Sequence, residues 1–315
     1  MSKVYVIHEN DAWMGPFREA FAREGVPFAE WHLDAGTLDL SEAPPEGVFY
    51  NRMSASSHTR GHRYAPEYTA CVLAWLEAHG RTVVNGSRAL ALEINKVAQY
   101  ASLEAFGIRT PRTVAALGRD EIRAAAESFG DAPFITKHNR AGKGLGVRLF
   151  RSQESFRAHF DSAEFAPSVD GIMLLQQYVA APEPFITRVE FVGGELVYAV
   201  RVDSSQGFEL CPADACRVDD AFCPVGETAP AMFEIIPGFD HPLVPKWQAF
   251  LKANGIGVSG IEFIVDADGT PYTYDVNTNT NYNSDAETRA GLSAPTRLAR
   301  YLGDLLAAAP VRRRA

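Results

Sequence analysis

Cysteine is scarce in this chain: Cys71, Cys211, Cys216 and Cys223 are the only four in 315 residues. That number cannot staple a protein of this length, so a reducing, cytoplasmic setting is expected. Three of the four fall between 211 and 223 without a CxxC pair; a zinc site there stands beside the plainer reading of loop cysteines. No run approaches the roughly 18 continuous apolar residues a membrane span needs. Met1-Ser2-Lys3 runs straight into Val4-Tyr5-Val6-Ile7 with no sign of a cleavable signal, so no membrane association is expected. Basic residues are outnumbered, 30 Lys and Arg against 39 Asp and Glu, for a net charge of −9. Nucleic acid is therefore not an expected partner, because phosphate backbones select basic surfaces. The one basic cluster, Arg312-Arg313-Arg314, reads as a solvated tail. Internal repeats, a GxxxxGK[ST] loop and a strand-to-helix dinucleotide turn are also missing. With 46% hydrophobic and 22% charged residues, the remainder is ordinary for a globular protein of two or three domains.

What is present centres on residues 260–283, GIEFIVDADGTPYTYDVNTNTNYN. Two runs rich in β-branched and aromatic residues, 260–266 and 271–277, flank Ala267-Asp268-Gly269-Thr270, the pattern of a hairpin with a four-residue loop. In that register Asp266 pairs with Pro271, and Glu262 faces Asp275. Alternation then places Thr273, Asp275 and Asn277 on one face, with Tyr272, Tyr274 and Val276 on the other. Facing like charges destabilise a ladder. A hard divalent cation would reconcile them, since it takes carboxylate and amide oxygens; a solvated acidic face is the alternative.

Ahead of this hairpin the chain alternates strands (3–8, 47–51, 82–85) with helices (15–23, 64–79), which predicts a small parallel α/β layer ending near residue 90. Its loop 51–60 follows a strand C-terminus, where such sheets bind ligands. Arg52 and Arg60 are placed to clamp a carboxylate there, unless the loop is simply exposed and polar. Residues 87–106 read as one helical stretch carrying Lys96 and ended by Gly107. Helices follow at 120–129 and 152–160, with strands at 133–138, 147–150 and 172–179. Lys137, flanked by apolar residues on a strand, is costly to bury without an anion. The glycines of loop 139–146 let backbone N–H groups approach phosphate, though an ordinary loop has the same composition. Gly193-Gly194 joins a hairpin of 185–192 and 195–202. Residues 203–245 show few periodic signals and read as a flap. Helices near 245–254 and 294–308 flank the acidic hairpin.

Taken in order, Asn95-Lys96, GIRTP (107–111), FITKH with AGKGLG (134–146), LLQQYV (174–179), ITRVEFVGGELVYAVR (186–201) and GIEFIV…YDVN resemble an ATP-grasp enzyme. The resemblance, to the RimK-like branch of ATP-dependent carboxylate–amine ligases, covers about residues 85–305. It implies an α/β (α+β) ATP-grasp fold: an N-terminal α/β domain (1–90), a central lobe with the glycine loop (91–179) and a C-terminal lobe with the metal-binding hairpin (180–315). By the same resemblance Lys96 and Lys137 hold ATP, Gly142, Gly144 and Gly146 close over its phosphates, and Gln177, Tyr178 and Val179 read adenine, with Glu183 at the ribose. Arg188 and Arg201 would stabilise the transferring phosphate. Glu262, Asp275 and Asn277 would hold Mg2+, two ions by expectation, with Mn2+ as a substitute.

Four positions depart from the family pattern: Gln177 stands where glutamate is commoner, Glu262 and Asp275 run in the reverse of the usual Asp-then-Glu order, and Thr187 replaces an acidic residue. The polar run Thr278–Asn283, with Asn279, replaces the small residues and proline that often follow. The implied activity is ADP-forming amide or peptide bond formation on an amino acid or peptide. A small-molecule kinase and a non-catalytic nucleotide-binding module are the competing readings, and a homodimer is the symmetry-based expectation.

Overall fold

The computed structural model describes residues 2–142, 144, 146–205 and 233–309. Cys211, Cys216 and Cys223, Lys143, the Arg312–Arg314 tail and most of the expected 203–245 flap lie outside them. Strands β1 (Lys3–His8), β2 (Phe28–His32), β3 (Gly47–Asn51) and β4 (Thr82–Val84) form an all-parallel sheet ordered β2-β1-β3-β4. Parallel strands need cover on both faces. Helix α1 (Gly15–Glu24) supplies Phe17 and Phe21 against Val4 and Val6, while α2 (Ala65–Ala78) packs Val72 and Leu76 with Ile7 and Phe49. The edge strand β2 escaped the sequence reading because its five residues, FAEWH, are short, mixed in polarity and only partly buried.

The expected single helix over 87–106 is two: α3 (Ser87–Glu93) and α4 (Lys96–Ala105). Asn95 breaks it by adopting extended angles (φ −144°, ψ 97°) so that its side-chain oxygen accepts from the Ala98 amide at 3.0 Å. An N-cap of this kind outcompetes helix continuation while leaving the apolar period undisturbed. Strand β5 (Thr113–Leu117), helix α5 (Arg119–Glu127), β6 (Phe134–His138), β7 (Arg148–Phe150), α6 (Gln153–Phe160) and β8 (Ile172–Gln177) follow. Their antiparallel sheet, β5-β8-β6-β7, is packed by Phe134, Phe150, Phe156 and Phe160.

The third sheet is antiparallel, β11-β10-β9-β12-β13, built from β9 (Phe185–Val192), β10 (Glu195–Asp203), β11 (Phe233–Ile236), β12 (Val258–Val265) and β13 (Pro271–Asn277). Gly193 and Gly194 take φ of 66° and 78°, the left-handed pair that a two-residue primed turn requires. Helix α7 (Val244–Ala253) buries Trp247 and Phe250 on one face of this sheet with Val189, Phe191 and Ile261. Helices α8 (Ser284–Ala290) and α9 (Ala294–Ala308) follow, and Leu298 and Leu302 of α9 join the third sheet's Val200 and Val202 to Val4 and Val6 of the first. Asn85, in left-handed conformation (φ 58°), secures the same junction: its amide donates to Val258 O (2.9 Å) and Thr278 O (2.7 Å), and its oxygen accepts from Gly257 and Val258. Among the described residues no helix is long and apolar enough to cross a membrane.

One buried carboxylate makes this junction sensitive to pH. Glu287 Oε1 accepts from Tyr198 Oη at 2.8 Å and from the Ala294 amide at 2.7 Å, yet burial outweighs both and pushes its pKa from 4.5 up to about 7. A group with a raised folded-state pKa takes up a proton on folding, so its contribution is complete below about pH 4.5 and is lost as pH rises towards 7. Glu287→Gln keeps an oxygen acceptor for both donors and removes the titration. Urea unfolding of this variant is expected to lose the decline between pH 4.5 and 7, which amounts to at most about 3 kcal/mol in the wild type. An unchanged pH profile would show that Glu287 does not titrate there.

Candidate active site

A cavity of ≈ 470 Å³ opens between the second and third sheets, within the rough 300–1,000 Å³ range of small-molecule sites. Strand β6 contributes Lys137, the glycine loop Gly142 and Gly144, and the end of β8 Gln177, Tyr178 and Val179. Glu183, Arg188, Glu262, Asp275, Asn277 and Asn279 face it from the other lobe; Trp13, Ser54 and Ser56 reach it from the first sheet. Ile135, Ile186 and Ile264 give it an apolar wall.

In the acidic hairpin Glu262 does face Asp275, but by a different route from the one expected. Val265, not Asp266, pairs with Pro271, and the shift is absorbed by a bulge that leaves Tyr274 as the extra residue of β13. The loop is one residue longer because Asp266 caps it, its side-chain oxygen accepting from the Asp268 and Thr270 amides at 3.0 and 2.8 Å. The bulge also corrects the facing: Tyr274 and Asp275 both line the cavity, whereas Thr273 is buried on the opposite side, accepting from Trp247 Nε1 at 3.1 Å.

Each carboxylate has a buried cation. Lys96 Nζ lies 2.5 Å from Asp275 Oδ1, and Arg188 Nη1 2.8 Å from Glu262 Oε1. Arg188 also donates from Nε to Glu190 Oε1 (2.6 Å) and from Nη2 to Thr280 Oγ1 (2.6 Å), and Thr280 in turn donates to Glu190 Oε2 at 2.8 Å. Burial pushes Asp275 upward, but Lys96 and Lys137 outweigh it and hold the pKa below its ordinary value. For Glu262 burial wins; Arg188 offsets only part, and facing Asp275 adds to the rise. Lys137 Nζ donates to Tyr100 Oη at 3.0 Å and Tyr274 O at 3.3 Å.

The backbone start of α4 is closed by the glycine-loop residue Asn139, which accepts from Lys96 N through its carbonyl and from Val97 N through its side chain. That ties Lys96 to the root of the loop. Glu93 holds the polar run from below, accepting from Thr278 N (2.7 Å) and Oγ1 (3.2 Å). Asn279 Oδ1 is buried without a hydrogen-bond partner among the described residues, in the cavity lining.

Four expected site residues are not brought to the cavity. Arg52 is turned to the polar run, its Nη2 donating to Thr280 O (3.0 Å) and Asn281 Oδ1 (2.8 Å) while the guanidinium stacks on Phe17. Arg60 forks onto Glu9 at 2.6 and 3.0 Å. Arg201 pairs in register with Thr187, on the face of β9 opposite Arg188, and its guanidinium donates to Glu183 Oε2 at 2.7 Å. Gly146 instead packs against the His138 ring, where a Cβ would lie 2.4 Å away. Conversely Glu190, Thr280 and Tyr100 were missed, although Arg188-x-Glu190 was a readable same-face pair.

Residues 93–209 match the family model of the RimK-like ATP-grasp domain. Over that span the chain is similar to RimK-like ATP-grasp domains. Across 95% of the chain and 99% of the other, the ATP-grasp fold superposes on a RimK domain protein from Sphaerobacter thermophilus with a TM-score of 0.64 at 19% identity. The ATP-grasp ligase PsnB, solved with a phosphomimetic variant of its minimal precursor, Mg and ADP, superposes over 96% of this chain and 98% of its own (TM-score 0.63, 16% identity). In sequence, a D-alanine–D-alanine ligase of Laribacter hongkongensis is 26% identical over 198 residues, 61% of this chain. The match spans 58% of that relative's length. At these identities the structural likeness is one of fold.

Within this cavity, Arg188 lies so close to β12 that a Cβ at Gly260 would stand 2.5 Å from Nη2 and 2.8 Å from Cζ. The guanidinium is held by three partners and has nowhere to retreat. Gly260→Ala is expected to cost about 2 kcal/mol in urea unfolding, the range of a small overpacking change. A variant within about 0.5 kcal/mol of wild type would mean that Arg188 is not fixed there.

Proposed function

We propose that the protein is an ATP-dependent carboxylate–amine ligase, joining an amino acid or peptide carboxylate to an amine through an acyl phosphate. The observation that supports this most is the register pairing of Glu262 with Asp275 on the cavity floor, beside Asn277 and beneath Lys96, Lys137 and Arg188. Two carboxylates and an amide oxygen are a hard-oxygen donor set suited to Mg2+, and Asn279 Oδ1 beside them is buried with no hydrogen-bond partner among the described residues. We assign Glu262, Asp275 and Asn277 to two Mg2+ ions, with Mn2+ as a substitute. When bound, the metal neutralises charge on the triphosphate and on the group being transferred.

ATP is assigned to the cleft between the lobes. The strand end at Gln177, Tyr178 and Val179, with the isoleucine wall, takes adenine; Glu183 takes the ribose; Gly142 and Gly144 admit the phosphates, for which Gly146 sets the loop's return. Lys96 and Lys137 bind phosphate oxygens, and Arg188 orients the transferred group. The substrate carboxylate oxygen attacks the γ-phosphorus, ADP leaves, and an acyl phosphate results. The amine nitrogen then attacks the acyl carbon, phosphate departs with the C–O bond pair, and the nitrogen sheds its proton to water. No covalent enzyme nucleophile is needed: the residues act by positioning and by charge. Asn279 and Asn281 present amide groups to the acid or amine, as suits zwitterionic amino acids or peptide backbones. We place this chemistry in the cytoplasm, where ATP and Mg2+ are supplied.

ADP release by purified protein with Mg2+–ATP and paired amino acids or dipeptides tests the reading, with hydroxylamine added to trap acyl phosphate as hydroxamate. ADP and hydroxamate are expected together, and Asp275→Asn is expected to lower both at least about 100-fold while the thermal transition remains cooperative. ADP release with a stable phosphate ester and no hydroxamate would make the protein a kinase. Near-normal turnover of Asp275→Asn would reject the metal assignment.

A further inference from the structure

A second group of chemistry-bearing side chains stands at the C-terminal ends of β1 and β2, outside the lining of the nucleotide cavity. Parallel pairing sets His8 beside His32, and their rings lie 5.1 Å apart at 89°. The chain leaving β1 then turns through the short helical segment Asp11–Trp13, which carries Asp11 back over the strand ends. One donor atom from each of His8, Asp11 and His32 lies within 4.8 Å of the others.

The environment of these groups suits ligation of a cation. His8 is only 3% exposed, and neither ring nitrogen has a hydrogen-bond partner among the described residues. Its Nε2 lies 3.2 Å from Glu30 Oε2, on a carboxylate that Arg18 also clamps with two 2.6 Å bonds. Buried imidazoles ordinarily satisfy at least one nitrogen, so this ring is set up for a partner that is not protein. His32 is arranged differently: its Nδ1 is 2.9 Å from Asp34 Oδ1. A carboxylate on one nitrogen fixes the proton there and turns the lone pair of the other outward, the usual second partner of a metal-binding histidine.

We propose that His8, His32 and Asp11 form a binding site for a zinc-class divalent cation, with Asp34 orienting His32 and water completing the coordination. Two imidazoles and one carboxylate select Zn2+, or Co2+ and Ni2+ in its place, over the all-oxygen preference of Mg2+, so the site is separate from the nucleotide-dependent one. Donors on a tetrahedral zinc stand about 3.3 Å apart, so the group must contract. Asp11 can supply the movement: its side chain is 73% exposed and, among the described residues, is ion-paired only with Arg18, at 3.7 Å. Occupancy would fix the turn that ends in Trp13, a residue of the nucleotide cavity wall.

The full chain, stripped with chelator, is titrated with Zn2+ against a chromophoric competitor. Wild type is expected to bind one zinc per chain at this site, and the Cys211→Ser/Cys216→Ser/Cys223→Ser variant is expected to retain it. His32→Gln, at a half-buried position that leaves the core intact, is expected to weaken binding at least about 100-fold, and Asp34→Asn about tenfold through the lost orienting bond. Absence of zinc binding by wild type, undiminished affinity in His32→Gln, or loss of binding with the cysteines would each overturn the proposal.

Discussion

Two largely buried carboxylates held opposite each other on neighbouring strands are the constraint around which this molecule is built. Alone, Glu262 and Asp275 would repel and pay for their burial twice. The fold meets this by delivering one cation to each, Arg188 from the adjacent strand and Lys96 from the first turn of a helix. The two acids are thereby made unequal: Lys96 holds Asp275 ionised, while burial draws Glu262 towards its neutral form. A lysine at a helix N-terminus is itself unfavourable, because the helix dipole repels it. Its placement there makes sense only with an anion in reach.

Much of the surrounding structure follows from bringing those cations in. Gly260 leaves the space in which the Arg188 guanidinium lies flat against β12, and Glu190 with Thr280 completes its hydrogen bonding. The break at Asn95 starts α4 where Lys96 meets Asp275, and Asn139 locks that start to the glycine loop. The polar run after β13 is held by Arg52 above and Glu93 below, so Asn279 is presented from a rigid segment. Asn85 and α9 join the first sheet to the third, which makes the N-terminal unit one wall of the site rather than an appendage.

Legibility in the sequence tracked the range of the interactions. Alternation and turn residues are local, and they gave the hairpins, most strands and the Glu262–Asp275 pairing. The pairing came out right because a loop one residue too short was offset by an unseen bulge, and the same bulge spoiled the facing of Thr273 and Tyr274. Capping by Asn95 was invisible because α3 and α4 keep one apolar period across the break. Arg52, Arg60 and Arg201 failed for another reason. An arginine's partner is set by what the fold brings near, and Glu9, Glu183 and the 280–281 segment lie far away in sequence or carry no distinguishing pattern. The short helix α8 was hidden in a polar stretch whose N-cap, Asn283, looked like the end of the polar run from Thr278.

A crystal structure with Mn2+ and a non-hydrolysable ATP analogue tests the central claim most directly, because the anomalous signal of the metal locates it independently of the protein. The account predicts metal between Glu262 and Asp275 at about 2.1 Å from their oxygens, with Lys96 Nζ moved from Asp275 onto a phosphate oxygen. Metal and nucleotide bound elsewhere, with Lys96–Asp275 and Arg188–Glu262 still paired, would contradict it.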